Sequence, residues 1–451
     1  MGIMKTPTLI LIAGLALVST SFAVDPPPDG GYPNENTAEG EDALFSLTTG
    51  TDNAAVGFQA LYHNTTGGLN TASGATALFS NTTGTGNTAT GDRALYNNTT
   101  GAFNTAVGDV ALFTNKDGTQ NVGVGTSAMY GNTSGYQNTG VGEESLHDNT
   151  IGSLNTGVGY RALQYNKNGS ANTAVGAYAL GCDLFVSQYG SSNTAIGSTT
   201  LLFNTTGSNN LAAGKDAMLY NSSGNSNTAA GGESLRNNTE GNNNTAYGYH
   251  SLYYNVTGSN NIAVGYNAGN NITGDLNIAI GHSGVTGESN TIHIGRTGQQ
   301  TATYVAGING TAVPDGVGVV INSNGQLGTV VSSARYKEQV KPMAESSEAI
   351  LALKPVSFRY KKELDPDSIP QFGLVAEDVA KVDPDLVAKD EDGKPYTVRY
   401  EAVNAMLLNE FLKEHKKVEE QASEISQLKS TLKQQSQQME EFAARLQANG
   451  L

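Results

Sequence analysis

Two consecutive stretches decide the fold: residues 87–103 read NTATGDRALYNNTTGAF, and residues 104–120 read NTAVGDVALFTNKDGTQ. They agree at Asn in the first place, Gly in the fifth and Ala-Leu in the eighth and ninth. The tetrad Asn-x-x-x-Gly marks each repeat and recurs every 17 residues, apart from one insertion and a last interval that is one residue shorter. Its asparagines are Asn36, Asn53, Asn70, Asn87, Asn104, Asn121, Asn138, Asn155 and Asn172, then, after an insertion, Asn193, Asn210, Asn227, Asn244, Asn261 and Asn277.

This period predicts a mainly β fold in which residues 36–297 form a β-solenoid, or β-roll, of 17-residue coils. A unit this short cannot hold two packed helices, whereas it suits one coil made of two or three short strands. Coils stacked about 4.8 Å apart would give a rod on the order of 70 Å long. The expected core is thin, since Ala72, Leu78, Ala106 and Val107 typify its side chains. Lateral association of three rods would offset the small apolar area of each coil.

The frequent N-T-T-G stretches have two interpretations. Asn and Thr at one place in every coil predict side-chain ladders along the rod, whereas Asn-x-Thr is also the acceptor pattern for glycans.

The insertion CDLFVSQYG at residues 182–190 predicts a loop that packs on a neighbouring subunit or binds a ligand. It contains Cys182, the chain's single cysteine, so an internal disulfide framework is excluded.

The first 23 residues predict a secretory signal peptide, with Lys5, an apolar run over 9–18 and small residues before a possible cut after Ala23. A proline- and glycine-rich linker, 24–35, follows. The protein is therefore expected to be secreted or at the cell surface, with no transmembrane helix.

The 25 basic and 41 acidic residues give a net charge of −16, which argues against nucleic-acid or anionic-membrane partners. Six scattered histidines predict no metal site, and no cofactor is expected.

From residue 298 the period dissolves into an alternating stretch, 298–331, that predicts a β neck. Four later blocks then carry a family resemblance: SSARYKE at 332–338, ALKPVSFRYK at 352–361, FGLVAEDVAKVDPDLV at 372–387 and YTVRYEAVNAMLLNEFLK at 396–413. Together they resemble the intramolecular chaperone domain that ends endosialidases and phage tail fibres, a self-cleaving serine peptidase family. The resemblance implies a small α+β domain over 332–413. The preceding repeats resemble the head domains of trimeric autotransporter adhesins, whose period is shorter.

The chaperone resemblance implies a Ser-Lys dyad, because the family motif S-D-x-R-x-K maps onto Ser332, Arg335 and Lys337. Ser332 would attack the carbonyl of Val331, and Lys337 would take the proton, so the cut would fall between Val331 and Ser332. A serine hydroxyl needs such a base, and a lysine serves only where burial or a nearby cation lowers its pKa. The family aspartate is Ser333 here, which leaves Ser333 as an alternative nucleophile. Arg335 is either a supporting catalytic group or a structural ion-pair partner.

The C-terminal segment predicts a long helix from Glu401 to about Ala448, with a coiled coil over 414–451. Its apolar residues are spaced by sevens and by threes and fours: Phe411, Val418, Ile425, Leu428, Leu432, Met439, Phe442 and Leu446.

The expectation is a homotrimeric, adhesin-like fibre whose chaperone directs folding and then cuts itself off in one turnover. Its solenoid would contact surface glycans or proteins. The alternatives are a non-cleaving adhesin capped by this domain, or a phage tail-fibre-like protein, against which the signal peptide argues.

Overall fold

The computed structural model describes residues 33–181, 188–308, 310–322, 324–390 and 392–448. The chain divides into two units, Met1–Thr303 and Tyr304–Leu451. The predicted signal peptide, most of the predicted linker and Cys182 lie outside the described residues. Within the described ranges, no helix combines the length and apolarity that a membrane span requires.

The first unit is a parallel β-solenoid, as predicted. Sixteen three-residue strands form one sheet in sequence order, each paired in register with the strand of the next coil. The strands are β1 (Thr37–Glu39), β2 (Ala54–Val56), β3 (Thr71–Ser73), β4 (Thr88–Thr90), β5 (Thr105–Val107), β6 (Val122–Val124), β7 (Thr139–Val141), β8 (Thr156–Val158), β9 (Thr173–Val175), β10 (Thr194–Ile196), β11 (Leu211–Ala213), β12 (Thr228–Ala230), β13 (Thr245–Tyr247), β14 (Ile262–Val264), β15 (Ile278–Ile280) and β16 (Ile292–Ile294).

Each described coil contains one strand, so the prediction of two or three strands per coil is wrong. The segment after each strand alternates into the left-handed region at non-glycine residues, for example Gln59 (φ 52°) and Leu61 (φ 53°). This alternation prevents extended strands, yet the coils still pair: the N–H of Leu61 donates to the carbonyl of Ala77 at 3.0 Å. The ladder between coils therefore continues beyond the sheet.

The interior of the coils is filled by small residues and, in the coils up to Leu252, by a leucine or methionine. Ala106 at the centre of β5 and Leu112 in the following turn are fully buried. Val107, which was predicted to be in the core, instead faces outward with 37 % of its surface exposed. Because neighbouring residues of a strand point to opposite faces, Ala106 and Val107 cannot both be internal.

Buried asparagines form two ladders through the coils. In the first, the side-chain amide of Asn138 donates to Oδ1 of Asn121 at 3.1 Å and to the carbonyl of Gly152 at 2.8 Å, and its own Oδ1 accepts from the N–H of Asn155 at 2.9 Å. The second ladder consists of the N-T-T-G asparagines, and Asn98 there donates to Oδ1 of Asn81 at 2.7 Å. Both of these side chains are fully buried. The ladder interpretation is confirmed, and burial excludes these asparagines as glycan acceptors in the folded coil.

The last strand, β16, follows the fifteen that the asparagine tetrads predict. Thr291 stands where the other coils have asparagine, and its hydroxyl donates to Oδ1 of Asn277 at 2.7 Å. His293 replaces the small buried residue at the strand centre. Because Thr291 replaces the marker asparagine, the tetrad does not reveal this coil, although Gly295 keeps the glycine of the pattern.

The second unit is a small α+β assembly, as predicted. It has three antiparallel hairpins: β17 (Val319–Ile321) with β18 (Leu327–Thr329), β19 (Val356–Phe358) with β20 (Gln371–Gly373), and β21 (Val387–Lys389) with β22 (Pro395–Val398). Helix α1 spans Ala376–Val382, and helix α2 spans Tyr400–Ala448 without a break at 413/414. Three 3-10 helices cover Ala334–Tyr336, Ala344–Ala352 and Pro384–Leu386. The buried core consists of Val379, Leu386, Val387, Val398 and Met406.

Candidate self-cleavage site

The two residues of the predicted dyad flank the first 3-10 helix of the second unit, with Ser332 between β18 and this helix and Lys337 directly after it. Ser333 is extended (φ −63°, ψ 139°), and one 3-10 turn follows, in which the N–H of Tyr336 donates to the carbonyl of Ser333 at 3.0 Å. This turn folds the chain back, so that Nζ of Lys337 lies 3.4 Å from Oγ of Ser332. The two residues that the sequence singled out as nucleophile and base are therefore within hydrogen-bond reach.

The other predicted residues take different places around this pair. The guanidinium of Arg335 lies over the ring of Tyr336, 4.8 Å from its centre, in a cation–π contact. Val331, on the other side of the expected cut, has 57 % of its surface exposed. Ser333 begins the 3-10 turn, and its backbone carbonyl is engaged there.

Every residue from 329 to 342 is exposed in the single chain. The single chain thus supplies the contact between Ser332 and Lys337 but not the dry surroundings that general-base catalysis by lysine requires.

A second contact between serine and lysine was missed by sequence reasoning. Ser347 is fully buried, and its hydroxyl accepts from Nδ2 of Asn409 at 2.7 Å and donates to the carboxylate of Glu410. Nζ of Lys413 lies 2.7 Å from Oε1 of Glu410 and 3.5 Å from the Ser347 hydroxyl. These partners are 62 to 66 residues apart, and no spacing in the sequence links them.

The electrostatics of this second cluster make it a structural clasp. The hydrogen bond from Lys413, followed by that from Ser347, holds the pKa of Glu410 below its usual value. The bond to Glu410 is the main factor that raises the pKa of Lys413. Lys413 therefore remains an ammonium and cannot serve Ser347 as a base, so the cluster ties the second 3-10 helix to α2.

An open apolar groove of about 610 Å³ runs between β19, β20 and the start of α2 in the same unit. Its walls include Ile350, Val356, Phe372 and Leu407. Phe372 has 84 % of its surface exposed, and Leu407 has 57 %. The unit thus leaves large apolar side chains without cover in the single chain.

Residues 332–388 match the family described as chaperone of endosialidase. The match begins at Ser332 itself and covers the dyad, the clasp serine, the hairpin β19–β20 and α1. No curated protein shows a significant similarity to the chain. The chain therefore combines a β-solenoid with a C-terminal segment similar to the chaperone of endosialidase, a combination typical of tail-fibre-like proteins.

Proposed function

We propose that the protein is an exported homotrimeric fibre whose C-terminal unit directs the assembly of three chains and then cuts itself off between Val331 and Ser332. One observation carries the proposal: the match to the chaperone family begins at the serine whose hydroxyl lies 3.4 Å from Lys337. The solenoid is then the lasting product, and the C-terminal unit is a temporary template.

The reaction follows from the contact between Ser332 and Lys337. Neutral Lys337 takes the hydroxyl proton while Oγ of Ser332 forms a bond to the carbonyl carbon of Val331. The bond from that carbon to the Ser332 nitrogen breaks, and the nitrogen receives a proton to become a free amine. Water then hydrolyses the ester, which leaves a carboxylate on Val331 and restores the Ser332 hydroxyl. The reaction occurs once per chain and needs no external substrate.

Assembly of three chains would exclude the water that surrounds Ser332 and Lys337 in the single chain. The apolar groove beside Phe372 and the exposed apolar side of α2 offer surfaces that other copies can cover. If the assembled chains also enclose the neck, water would be excluded from Ser332 and Lys337, and only assembled chains would be cut. Release of the template would then trap the fibre kinetically, because no refolding aid remains attached.

The cut can be tested by expressing the full chain and measuring its mass under denaturing conditions. Cleavage yields a chain shortened by the 120 residues from Ser332 to Leu451. Ser332→Ala should restore the full-length band completely, whereas the matched variant Ser333→Ala should leave cleavage intact. If Ser333→Ala blocks the cut and Ser332→Ala does not, the nucleophile is Ser333. If the unaltered chain stays full length, the C-terminal unit is a permanent cap of an adhesin.

Export rests on the first 23 residues. Edman or mass-spectrometric analysis of the purified fibre should find a new amino terminus after Ala23. A retained Met1 would instead favour assembly in the cytoplasm, as expected for a phage tail fibre. We expect the mature solenoid to bind surface glycans or proteins. A glycan array with the processed trimer tests the first of these alternatives.

A further inference from the structure

The outer face of the solenoid sheet carries two columns of side chains along its whole length. Each strand from β1 to β15 buries its middle residue, β16 half-buries His293, and all of them turn the two flanking residues outward, where the in-register pairing stacks them from coil to coil. The first outward column runs from Thr37 to Ile292, and the second outward column runs from Glu39 to Ile294. The sixteen strands thus present 32 outward residues.

This face is almost free of charge, although the chain as a whole carries a net charge of −16. Glu39 is the single ionisable acid or base among the outward residues of β1–β16 apart from the phenol of Tyr247. Several charged residues of the coils lie just past the strands and pair with one another, as Arg93 does with Asp92 and Asp109, and Arg161 with Glu144. A like-charged molecule could therefore approach this face without strong repulsion.

The second outward column is apolar in every strand from β5 to β16. Its members are Val107, Val124, Val141, Val158, Val175, Ile196, Ala213, Ala230, Tyr247, Val264, Ile280 and Ile294. In the last three strands the first outward column is apolar too, with Ile262, Ile278 and Ile292. Ile292 and Ile294 leave 67 % and 71 % of their surfaces exposed. Such a long apolar stripe on a single chain marks an interaction surface.

We infer that this sheet face is where three copies of the solenoid pack against one another. The occupant follows from the repeat: only another copy has side chains spaced by the same coil rise, so every coil can meet an equivalent coil. At about 4.8 Å per strand and about 10 Å of strand width, the face offers roughly 700 Å² per chain. A stable pairwise interface buries about 800 Å² per partner, and each chain of a trimer shares this face between two neighbours, so the face supplies part of the contact area and the C-terminal units must supply the rest. This inference rests on the proposed trimer and names its contact surface.

The stacked aromatic column of the early coils is a poorer choice for this role. It comprises Phe45, Tyr62, Phe79, Tyr96, Phe113, Tyr130 and His147, and its ring centres are 5.0 to 5.3 Å apart. The ring faces already cover one another, which leaves mainly ring edges, and the stack ends at the seventh coil. It stabilises neighbouring coils within one chain.

Site-specific cross-linking of the full chain tests the inference. In a Cys182→Ser background, Val158→Cys places a thiol in the second outward column, and Ile151→Cys places one on an exposed turn of the preceding coil. A short bifunctional maleimide should join chains through Val158→Cys, giving a band of twice the chain mass on a denaturing gel. The control Ile151→Cys should stay at single-chain mass and react at least tenfold faster with a bulky monofunctional maleimide.

Sedimentation of the same samples separates the two possible failures. If three copies sediment together but Val158→Cys is not cross-linked and is labelled as fast as Ile151→Cys, the sheet face is open and the inference is wrong, while the proposed trimer stands. If the chains sediment singly, the proposed function fails as well. Cross-linking through Ile151→Cys alone would place the contact on the turns and would also overturn the inference.

Discussion

The two units of this chain differ in how completely each one buries its own apolar side chains within a single chain. The solenoid gathers 35 buried apolar residues into one continuous cluster, and two buried ladders join the asparagine side chains of neighbouring coils. The C-terminal unit buries only five core residues within the described ranges, and it exposes Phe372, Leu407 and the apolar side of α2. A stacked repeat can close its own core coil by coil, whereas a small domain with this little core needs partners. The difference supports the proposal that the first unit is the lasting product and that the second serves assembly.

The largest expected effect comes from breaking the buried asparagine ladder. Asn138→Ala leaves the buried N–H of Asn155 without an acceptor, and it removes the hydrogen bonds to Oδ1 of Asn121 and to the Gly152 carbonyl, which keeps Asn149 as a donor. At about 1–3 kcal/mol for the unsatisfied N–H and about 1 kcal/mol for each of the other lost hydrogen bonds, local stability should fall by roughly 3–5 kcal/mol. Amide hydrogen exchange of the neighbouring coils measures this loss directly. The same substitution at exposed Asn168 should change stability by less than about 0.5 kcal/mol.

Substitution of one glycine in each unit allows the tightness of packing in the two units to be compared. Gly142 has φ +127°, and an added Cβ would lie 2.6 Å from the carbonyl oxygen of Gly159 in the next coil. Gly142→Ala should therefore cost about 3 kcal/mol, from backbone strain and the displaced coil together. Gly393 in the turn between β21 and β22 has φ +77° with nothing within 4 Å of that Cβ. Gly393→Ala should cost about 1 kcal/mol in thermal unfolding, and an equal cost at both sites would contradict tight packing between coils.

A third prediction addresses the unpartnered side of α2. Leu428 has 67 % of its surface exposed in the single chain, so a substitution there should not disturb the helix itself. If Leu428 is buried between copies, Leu428→Lys should weaken assembly by about 2 kcal/mol per chain. Sedimentation velocity measures the shift toward single chains. Ser430→Lys, on the opposite side of the helix, serves as the matched control, and equal effects of both variants would argue against a coiled coil.

The smallest effect is a dependence on pH at the end of the solenoid. Burial, followed by repulsion from His293, lowers the pKa of His282, whose Nδ1 accepts the N–H of Gly284 at 2.9 Å. The unfolded chain therefore binds a proton near pH 6.5 that the folded chain resists, so the last coils lose stability as the pH falls below that value. Hydrogen exchange of residues 278–295 at pH 7.5 and pH 5.5 should show the loss. His282→Asn, which keeps an acceptor but cannot titrate, should reduce it.

Sequence reasoning located the coils because Asn and Gly recur where the fold admits few other residues. Asn supplies both donor and acceptor to its ladder, and the coil glycines sit against the next coil's backbone. It could not show the single strand per coil, because residues such as Leu61 adopt the left-handed region without any compositional signal. It also placed Val107 inside, since an apolar residue on an interaction face resembles a core residue in sequence.

At the candidate site, the dyad was predictable only through the family motif. The contact between Ser332 and Lys337 depends on one local turn, which a motif of fixed spacing preserves. The clasp of Ser347 with Asn409 and Glu410 joins distant segments that no local pattern connects. Ser, Asn and Glu are common residue types, so their presence in the sequence does not predict this contact.

Sedimentation equilibrium of the uncleaved Ser332→Ala chain tests the central claim most directly, because it keeps the template attached to the solenoid. The account predicts a species with the mass of three chains across the accessible concentration range. A species with the mass of one chain would mean that the C-terminal unit completes itself alone, and it would contradict the account.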